Sequence, residues 1–429
     1  MNIYFIGIGG IGVSALARYF METGHQVSGS DLASSEITTA LKKSGVKIFI
    51  GKHKTQNLPK NTQLVIFSPA VKKNNPEIKI AQKQKIKCQI YPEALGELTK
   101  NYFTIAVSGT HGKSTVSSMI GLLLIKAGFD PTVIVGTKLK EFNDSNCRVG
   151  KSQFLVIEAC EFQASFWNYW PQIIVLTTIE EEHMDFFKNL NHIFRVYTKY
   201  LNHLTPTGVL IANQDDDNVY KLSKKIKNTQ YYSLRQKESN KLAKLLKIPG
   251  EHNVSNALAV LAIARNLKIP DKITFKALSE YKGSWRRFDQ RKVKIGNKKV
   301  DVVLDYGHHP TEIRVTLKAV REKFTKQKIW CIFQPHQYQR TYYLWDAFIK
   351  TFRGAPIDNL IITDIYDVAG RENKEIKRKI SSQKLVDAID KPDAIYLPKD
   401  KIMKYLDKNL GKKDIVIVMG AGDIYKLFS

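Results

Sequence analysis

The sequence predicts an α/β protein built from three domains. Short apolar runs alternate with helical stretches along the whole chain, and glycine-rich loops follow two of the strand-like runs. The length of 429 residues suffices for about three domains of typical size. Hydrophobic residues make up 43% and charged residues 25%, which is ordinary for a globular protein. No apolar run approaches the ~20 residues that cross a bilayer, so we expect no membrane partner.

The first expected domain comprises residues 1–98. Its apolar runs IYFIGI, QVSGSD, VKIFIG and LVIFSPA are separated by helical stretches, which is typical of a Rossmann-like parallel sheet. Gly7, Gly9 and Gly12 form a G-x-G-x-x-G pattern between a strand at 3–6 and a helix at 14–22. Asp31 ends the next strand, where a carboxylate can accept from a ribose hydroxyl. The pattern predicts a nucleotide diphosphate site and leaves the nucleotide open.

The second expected domain, residues 99–282, opens with the most informative segment, YFTIAVSGTHGKST. A strand-like run breaks into a glycine loop that ends Gly-Lys-Ser at a helix start. Backbone N–H groups of such a loop hold a polyphosphate, while Lys113 reaches the terminal phosphates and the Ser114 hydroxyl takes Mg²⁺. Val107 stands where the usual first glycine would be. The alternative is an ordinary strand-to-helix turn.

The remaining apolar runs complete the second domain and define the third, residues 283–429. FLVIEAC, IIVLTTIE and GVLIAN are expected strands of the second domain, and residues 252–267 form an expected amphipathic helix after a Pro-Gly breaker. VDVVLDYG, KIWCIFQP, NLIITDIY, DAIYLP and DIVIVMGAG alternate with helical stretches in the third. We therefore expect a second parallel α/β sheet and then a Rossmann-like third.

The net charge of +27 is the most unusual bulk property of the chain. Its lysines are spread over the whole sequence and form no basic arm with interleaved aromatic residues, so we expect no nucleic-acid partner. Solvated lysines explain the charge best, with steering of anionic substrates as the alternative. Four scattered cysteines without a CxxC pair argue against a zinc site or a disulfide framework and favour a cytoplasmic location.

Several motifs in a fixed order resemble those of the Mur ligase family. They are GIGGIGVSALA, GTHGKST, PGEHNVSNALA, the run Trp285 to Phe288, DYGHHPTEI, FQPHQYQRT and GAGDI. The resemblance extends from the first strand to the last. It implies three α/β domains, of which the central one is P-loop ATPase-like, and a cytoplasmic ligase of peptidoglycan precursor synthesis that requires ATP and one or two Mg²⁺ ions.

Within the family, FQPHQYQRT is similar to the pattern of members that join L-alanine to UDP-N-acetylmuramate through an acyl phosphate. One alternative is the member type that attaches a recycled murein tripeptide to the same sugar nucleotide. A second is a non-catalytic protein that binds the sugar nucleotide or ATP. A third, a nicotinamide dehydrogenase, explains the first glycine loop but gives GTHGKST no role. The sequence does not predict an oligomeric state.

The resemblance also implies roles for individual residues. The expected catalytic residues are Lys113, Glu158, His183 and Arg287. The expected ATP-binding residues are Gly109, Thr110, His111, Gly112, Lys113, Ser114, Thr115, Asn253, Asn256, Arg287 and Asp305. The expected metal ligands are Ser114, Glu158 and His183. The expected residues for the UDP-sugar are Gly7, Gly9, Gly10, Gly12, Ser30, Asp31 and Ser68. The expected residues for the amino acid are His308, His309, His336 and Arg340, although the first two could instead serve as hydrogen-bonding residues between domains.

The chain also departs from the family pattern. Thr178 and Glu182 stand where relatives carry Asn and Asp, and Cys160 stands where an Asp is usual. Glu158 and Glu161 remain, so the supply of carboxylates survives. The segment from Ser233 to Pro249 is shorter than in relatives, which indicates a trimmed central domain.

Overall fold

The computed structural model describes residues 1–184, 186–368 and 373–428. It contains three β-sheets flanked by helices, and the predicted three-domain α/β class is confirmed. Within these residues, no helix combines the length and apolar character needed to span a membrane.

The first sheet has five parallel strands in the order β3-β2-β1-β4-β5. Tyr4 and Phe5 of its central strand are fully buried, so this strand carries the core of the sheet. The strands are β1 (Asn2–Ile6), β2 (Gln26–Asp31), β3 (Lys47–Ile50), β4 (Leu64–Phe67) and β5 (Lys87–Ile90), and the helices are α1 (Ile11–Glu22), α2 (Glu36–Lys43), α3 (Pro76–Lys83) and α4 (Tyr91–Thr99).

The second sheet has seven strands in the order β12-β11-β10-β6-β9-β7-β8. All neighbours are parallel except β7 and β8. The strands are β6 (Phe103–Ser108), β7 (Thr132–Leu139), β8 (Ser145–Arg148), β9 (Phe154–Glu158), β10 (Ile173–Leu176), β11 (Val209–Asn213) and β12 (Thr229–Tyr232). The helices are α5 (Lys113–Lys126), α6 (Leu190–Leu201), α7 (Asp217–Ser223), α8 (Ser239–Leu245), α9 (Glu251–Asn266) and α10 (Asp271–Glu280).

The third sheet has six strands in the order β13-β14-β18-β15-β16-β17, and only the β13–β14 hairpin is antiparallel. The strands are β13 (Asp289–Ile295), β14 (Lys298–Asp305), β15 (Ile329–Phe333), β16 (Asn359–Ile362), β17 (Ala394–Tyr396) and β18 (Ile415–Met419). The helices are α11 (Pro310–Lys323), α12 (Tyr338–Tyr343), α13 (Trp345–Arg353), α14 (Lys374–Lys379), α15 (Ser382–Ile389) and α16 (Ile402–Asn409).

The chain packs into two compact units. The first contains the first and second sheets and comprises Met1–Ile179, Phe194–Ser233 and Ala259–Leu278. The second contains the third sheet together with Glu180–Ile193 and Leu234–Leu258. Candidate site residues occur in both units, and each unit is therefore described separately.

Several local features differ from the sequence prediction, which named none of the strands β5, β7, β8, β12 and β13. Helix α1 begins at Ile11, three residues before the expected start, because the helix follows the glycine loop without a spacer. Strand β13 is an additional antiparallel edge strand with alternating exposure, and its charged sequence DQRKVKI conceals it. Helix α9 is buried around most of its circumference and not along one face, because its small residues pack on several sides.

Candidate active site

The phosphate loop lies between β6 and α5, as predicted. Gly109 has φ +130°, and a Cβ at this position would lie 2.1 Å from the Thr177 hydroxyl oxygen. Gly112 has φ 82° and forms the N-cap of α5. Both positions therefore require glycine, and the N–H groups of the first turn of α5 remain available to an anion.

Lys113 lies inside the loop and is paired with Glu161. Its Nζ is 3.0 Å from Glu161 Oε2 and 3.1 Å from the carbonyl oxygen of Thr110, and it also contacts the Gly109 carbonyl. Burial alone would lower the pKa of Lys113, but Glu161 raises it above its usual value. Lys113 is therefore a charged lysine held by the Glu161 carboxylate.

Residues on the loop after β10 brace the phosphate loop. The Thr110 N–H donates to the Thr178 carbonyl at 2.7 Å, and the His111 N–H donates to the Thr178 hydroxyl at 3.0 Å. Thr178, one of the departures from the family pattern, thus binds the loop backbone through both its side chain and its carbonyl. Ser114 and Thr115 follow in the first turn of α5, and within the described part of the chain the Ser114 hydroxyl has no hydrogen-bond partner.

Glu158 ends β9, at the carboxyl edge of the same sheet. Its Oε1 accepts from the Gly136 N–H at 2.6 Å, and a Cβ on Gly136 would lie 2.8 Å from Oε2. Cys160 follows two residues later, and burial together with Glu161 raises the pKa of its thiol to about 11. A fixed carboxylate therefore lies at the end of β9, and a neutral thiol follows two residues later.

The first glycine loop joins β1 to α1 and is braced by β2. The N–H groups of Gly7 and Ile8 donate to the Ser30 carbonyl at 2.8 and 3.1 Å. The Gly9 N–H donates to Asp31 Oδ2 at 2.8 Å. Asp31 therefore holds the glycine loop through a hydrogen bond to its backbone. The contact between Asp31 and a ribose stays a prediction from the sequence. Gly10 is the N-cap residue of α1, and its N–H donates to the Gly7 carbonyl at 3.1 Å.

Ser30 and Ser68 differ in what their side chains do. The Ser30 hydroxyl is buried and donates to Glu77 Oε2 at 2.5 Å, so only its backbone supports the glycine loop. This placement does not support a side-chain contact between Ser30 and a ligand. Ser68 lies beside the loop, because a Cβ on Gly7 would be 3.1 Å from the Ser68 Cβ. The sequence did not indicate Tyr91, whose ring carbon Cζ lies 2.9 Å from an ideal Cβ on Gly12.

In the second unit, the two neighbouring arginines have different environments. Arg286 is 3% exposed, donates to the Gly420 carbonyl and lies 4.2 Å above the ring of Tyr425. Burial lowers the pKa of Arg286. Arg287 is half-buried, pairs with Glu312 at 3.5 Å and lies over the Tyr306 ring. Neither arginine belongs to a solvated basic turn, and Arg287 is the more accessible of the two.

The residues expected at the nucleotide base and ribose are all buried. Asp305 accepts from the Phe288 N–H at 3.0 Å and from the Gly307 N–H at 2.8 Å, and its pKa is raised by burial. The Asn253 amide donates to the Pro249 carbonyl at 2.7 Å, and the Asn256 amide donates to Asn253 Oδ1 at 3.5 Å. These contacts order the polar start of α9 and the turn after β14.

Arg340 and Glu182 form a buried ion pair in the second unit. Arg340 donates from Nε and Nη2 to Glu182 Oε1 at 3.0 and 2.8 Å, and the side chains are 7% and 8% exposed. Burial alone would raise the pKa of Glu182, but Arg340 holds it well below its usual range. The two residues line a small cavity together with Tyr343 and Leu344. The sequence analysis named Arg340 as a site residue and Glu182 only as a departure from the family pattern, and it did not indicate that the two pair.

The histidines expected from the sequence have different positions. His336 contacts Arg340, His308 lies near His336, and His309 is the N-cap of α11. Burial, with Arg340, lowers the pKa of His308 to about 4, and burial, with His308, lowers that of His336 to about 2. Both rings are neutral near pH 7 and lie 5.8 Å apart. His309 Nδ1 accepts from the Thr311 N–H at 3.3 Å and caps α11. His183 has φ 55°, and its N–H donates to Glu182 at 3.0 Å.

The sequence alone did not reveal the carboxylate partners of the two candidate cations. Glu161 and Glu182 pair with Lys113 and Arg340, which lie 48 and 158 positions away along the chain. Tyr306 was also missed, although it packs against both Arg286 and Arg287. Its position one residue after the predicted ribose contact Asp305 was the available signal.

Comparisons with known proteins agree with this arrangement. The family models described as Mur ligase family catalytic domain, Mur ligase middle domain and Mur ligase glutamate ligase domain match residues 2–103, 107–264 and 286–422. The UDP-N-acetylmuramate--L-alanine ligase of Acetivibrio thermocellus is 39% identical, with 99% of this chain and 94% of that protein covered. That of Clostridium acetobutylicum is 37% identical, with 99% and 96% covered.

Solved structures show the same architecture. The UDP-N-acetylmuramate-alanine ligase of Thermotoga maritima matches with a TM-score of 0.82 at 26% identity, over 99% of this chain and 97% of that one. A murein peptide ligase of Psychrobacter arcticus matches with a TM-score of 0.74 at 23% identity, over 100% and 97%, and supports the fold alone. Three family models together match most of the chain, and a relative is 39% identical over 99% of it. The chain therefore belongs to the Mur ligase family.

Proposed function

We propose that this protein is an ATP-dependent amide ligase that joins L-alanine to UDP-N-acetylmuramate in peptidoglycan precursor synthesis. The observation that carries the proposal is the identity of 39% over 99% of the chain with a relative of that activity. The ordered phosphate loop, with Lys113 held at its centre, supports the use of ATP. The murein peptide ligase match is weaker in both identity and TM-score, so recycling of a tripeptide is the second candidate.

The proposed reaction has two steps. A muramate carboxylate oxygen attacks the γ-phosphorus of ATP, ADP leaves, and an acyl phosphate forms. The alanine amine then attacks the acyl carbon, phosphate leaves with the carboxylate oxygen, and the amine loses a proton. Because negative charge develops on the transferred phosphoryl group, the backbone N–H groups of the loop and the Lys113 ammonium stabilise the first step. For this role, Lys113 exchanges Glu161 for phosphate oxygens.

The proposed reaction also requires Mg²⁺, an ion that prefers oxygen ligands. The Ser114 hydroxyl is without a partner in the described residues, and Glu158 is a fixed carboxylate at the sheet edge, so both fit the ion. His183 is the further ligand that the family pattern implies. When bound, Mg²⁺ neutralises charge on the phosphate oxygens. One ion at Ser114 and a second at Glu158 and His183 make up the proposed set.

The second unit supplies the remaining proposed contacts. Arg287 is the accessible arginine of its pair, and we assign it to the γ-phosphate. Asn253 and Asn256 are assigned to adenine and Asp305 to the ribose, where each carboxylate oxygen keeps one lone pair beyond its backbone hydrogen bond. Arg340 and His336 are assigned to the alanine carboxylate and amine, with neutral His308 beside them. His309 is assigned a structural capping role.

The sugar nucleotide is assigned to the first unit. Gly7, Gly9, Gly10 and Gly12 precede or begin α1, whose N-terminus favours the UDP diphosphate. Asp31 and the Ser30 backbone hold this loop in shape, and Ser68 lies beside it. The proposal keeps the three domains at 1–98, 99–282 and 283–429 and the cytoplasmic location that fits four free cysteines.

Phosphate release tests the proposal. Purified protein should release phosphate only when ATP, Mg²⁺, UDP-N-acetylmuramate and L-alanine are all present, and mass spectrometry should find the alanyl product. Turnover with the murein tripeptide but not with alanine would instead support the recycling activity. Binding of ATP and sugar nucleotide without turnover on either amine would support a non-catalytic protein, and NAD(H) binding would support a dehydrogenase.

A further inference from the structure

The guanidinium group proposed to grip the alanine carboxylate already holds a carboxylate of the protein. Arg340 Nε and Nη2 both donate to one oxygen of Glu182, at 3.0 and 2.8 Å. Arg340 Nη1 donates to the His336 carbonyl at 3.0 Å and lies 3.1 Å from His336 Nδ1. The edge of the guanidinium that suits a carboxylate is therefore occupied.

The pair lies beside a small cavity of the second unit. Both side chains are less than a tenth exposed, and they line a cavity with His183, Gln337, Tyr343 and Leu344. Gln337 has φ 73°, and this unusual backbone places the start of α12 beside the pair. A buried guanidinium requires a counter-charge, and the carboxylate of an amino acid carries the same charge as that of Glu182.

We infer that Glu182 is a carboxylate latch: its side chain stands in for the carboxylate of the amino-acid substrate and must leave Arg340 before that substrate binds. This inference rests on the proposed function. The same oxygen, Glu182 Oε1, also accepts from the His183 N–H at 3.0 Å, and His183 Nδ1 lies 3.9 Å from it. Exchange of one carboxylate for another keeps Arg340 paired throughout, which avoids the cost of an unpaired buried charge.

The latch predicts the direction in which the KM for L-alanine changes when Glu182 loses its charge. Glu182→Gln keeps the shape of the side chain but removes its charge, and with it the charge–charge attraction that holds the side chain on Arg340. The internal competitor is weakened, so the KM for L-alanine should fall about fivefold or more. If Glu182 instead positions Arg340 for the substrate, the same change should raise that KM, and this result would overturn the inference.

Two further variants complete the test. Glu182→Asp keeps the charge but shortens the reach, so its KM for L-alanine should lie between those of the unchanged protein and Glu182→Gln; it also serves if the Gln variant does not fold. Glu181→Gln is the matched control, because Glu181 is exposed and should leave the KM for alanine unchanged. An equal fall in both Gln variants would contradict a specific latch.

Calorimetry separates this inference from the proposed function. L-Alanine should bind Glu182→Gln about fivefold more tightly than the unchanged protein when UDP-N-acetylmuramate and a non-hydrolysable ATP analogue are present. Equal or weaker binding by the variant contradicts the latch. Absence of turnover by the unchanged protein with alanine contradicts the proposed function, and the binding comparison still decides the latch.

Discussion

At the residue scale, the candidate site is organised around buried cations that are paired with carboxylates. Lys113 pairs with Glu161 in the first unit, and Arg340 pairs with Glu182 in the second. Loss of one partner from such a pair costs about 3–5 kcal/mol, because a buried charge is left without compensation. Each cation is thus kept charged and in place, and the proposed function requires an anionic substrate to replace that carboxylate.

Replacement of Lys113 tests the first of these cations. Lys113→Ala should lower kcat by about 10²–10³, since one preorganised charge at the transferred phosphoryl group is lost. Lys100→Ala is the control, because Lys100 pairs with Glu97 at the surface, with side chains 50% and 55% exposed. Steady-state phosphate release measures both variants. Activity of Lys113→Ala equal to that of the control would remove the phosphate loop from the proposed chemistry.

His308 predicts how the stability of the protein depends on pH. Its pKa is about 4 in the folded protein and 6.5 ordinarily. Between these values the unfolded state binds more protons, so the free energy of unfolding falls as the pH falls, by up to about 1.4 kcal/mol per pH unit for this group. Denaturant unfolding of His308→Gln should therefore show a smaller loss between pH 6.5 and 4. An identical pH dependence in both proteins would contradict a buried neutral His308.

At the element scale, strand ends and close helix contacts define the site. Glu158 ends a strand, and the phosphate loop and Thr178 follow strands, at the carboxyl edge of the second sheet, where ligands of open α/β sheets bind. The first glycine loop takes the same position in the first sheet. Helix α4 packs so closely on residues 162–168 that a Cβ at Gly96 would lie 2.3 Å from the Asn168 carbonyl oxygen.

Gly96→Ala tests this packing against helix propensity. Propensity alone favours alanine inside a helix by roughly 0.5–1 kcal/mol, whereas overpacking costs about 1–3 kcal/mol. The contact is with backbone, which does not yield easily, so the variant should unfold at a lower temperature than the unchanged protein. Gly354→Ala is the control, since the nearest atom there is 3.6 Å away. A higher melting temperature for Gly96→Ala would show that α4 is less closely packed.

At the scale of the whole molecule, the sequence predicted what is local and missed what is distant. The phosphate loop and the first glycine loop were predictable because strand, turn and helix follow one another within about fifteen residues. The Arg340–Glu182 pair joins residues 158 positions apart, and no pattern in either segment indicates it. Strand β13 was missed for another reason: as an edge strand it alternates charged residues with apolar ones and lacks a buried run.

In the proposed reaction, the muramate carboxylate is activated as an acyl phosphate. Transfer of an isotope tests it directly. UDP-N-acetylmuramate labelled with ¹⁸O in its lactyl carboxylate is incubated with ATP, Mg²⁺, L-alanine and the protein, and the released phosphate is examined by mass spectrometry. If the acyl phosphate forms, each released phosphate should carry one oxygen from the carboxylate. Phosphate released without the label, while alanyl product forms, would contradict the acyl phosphate.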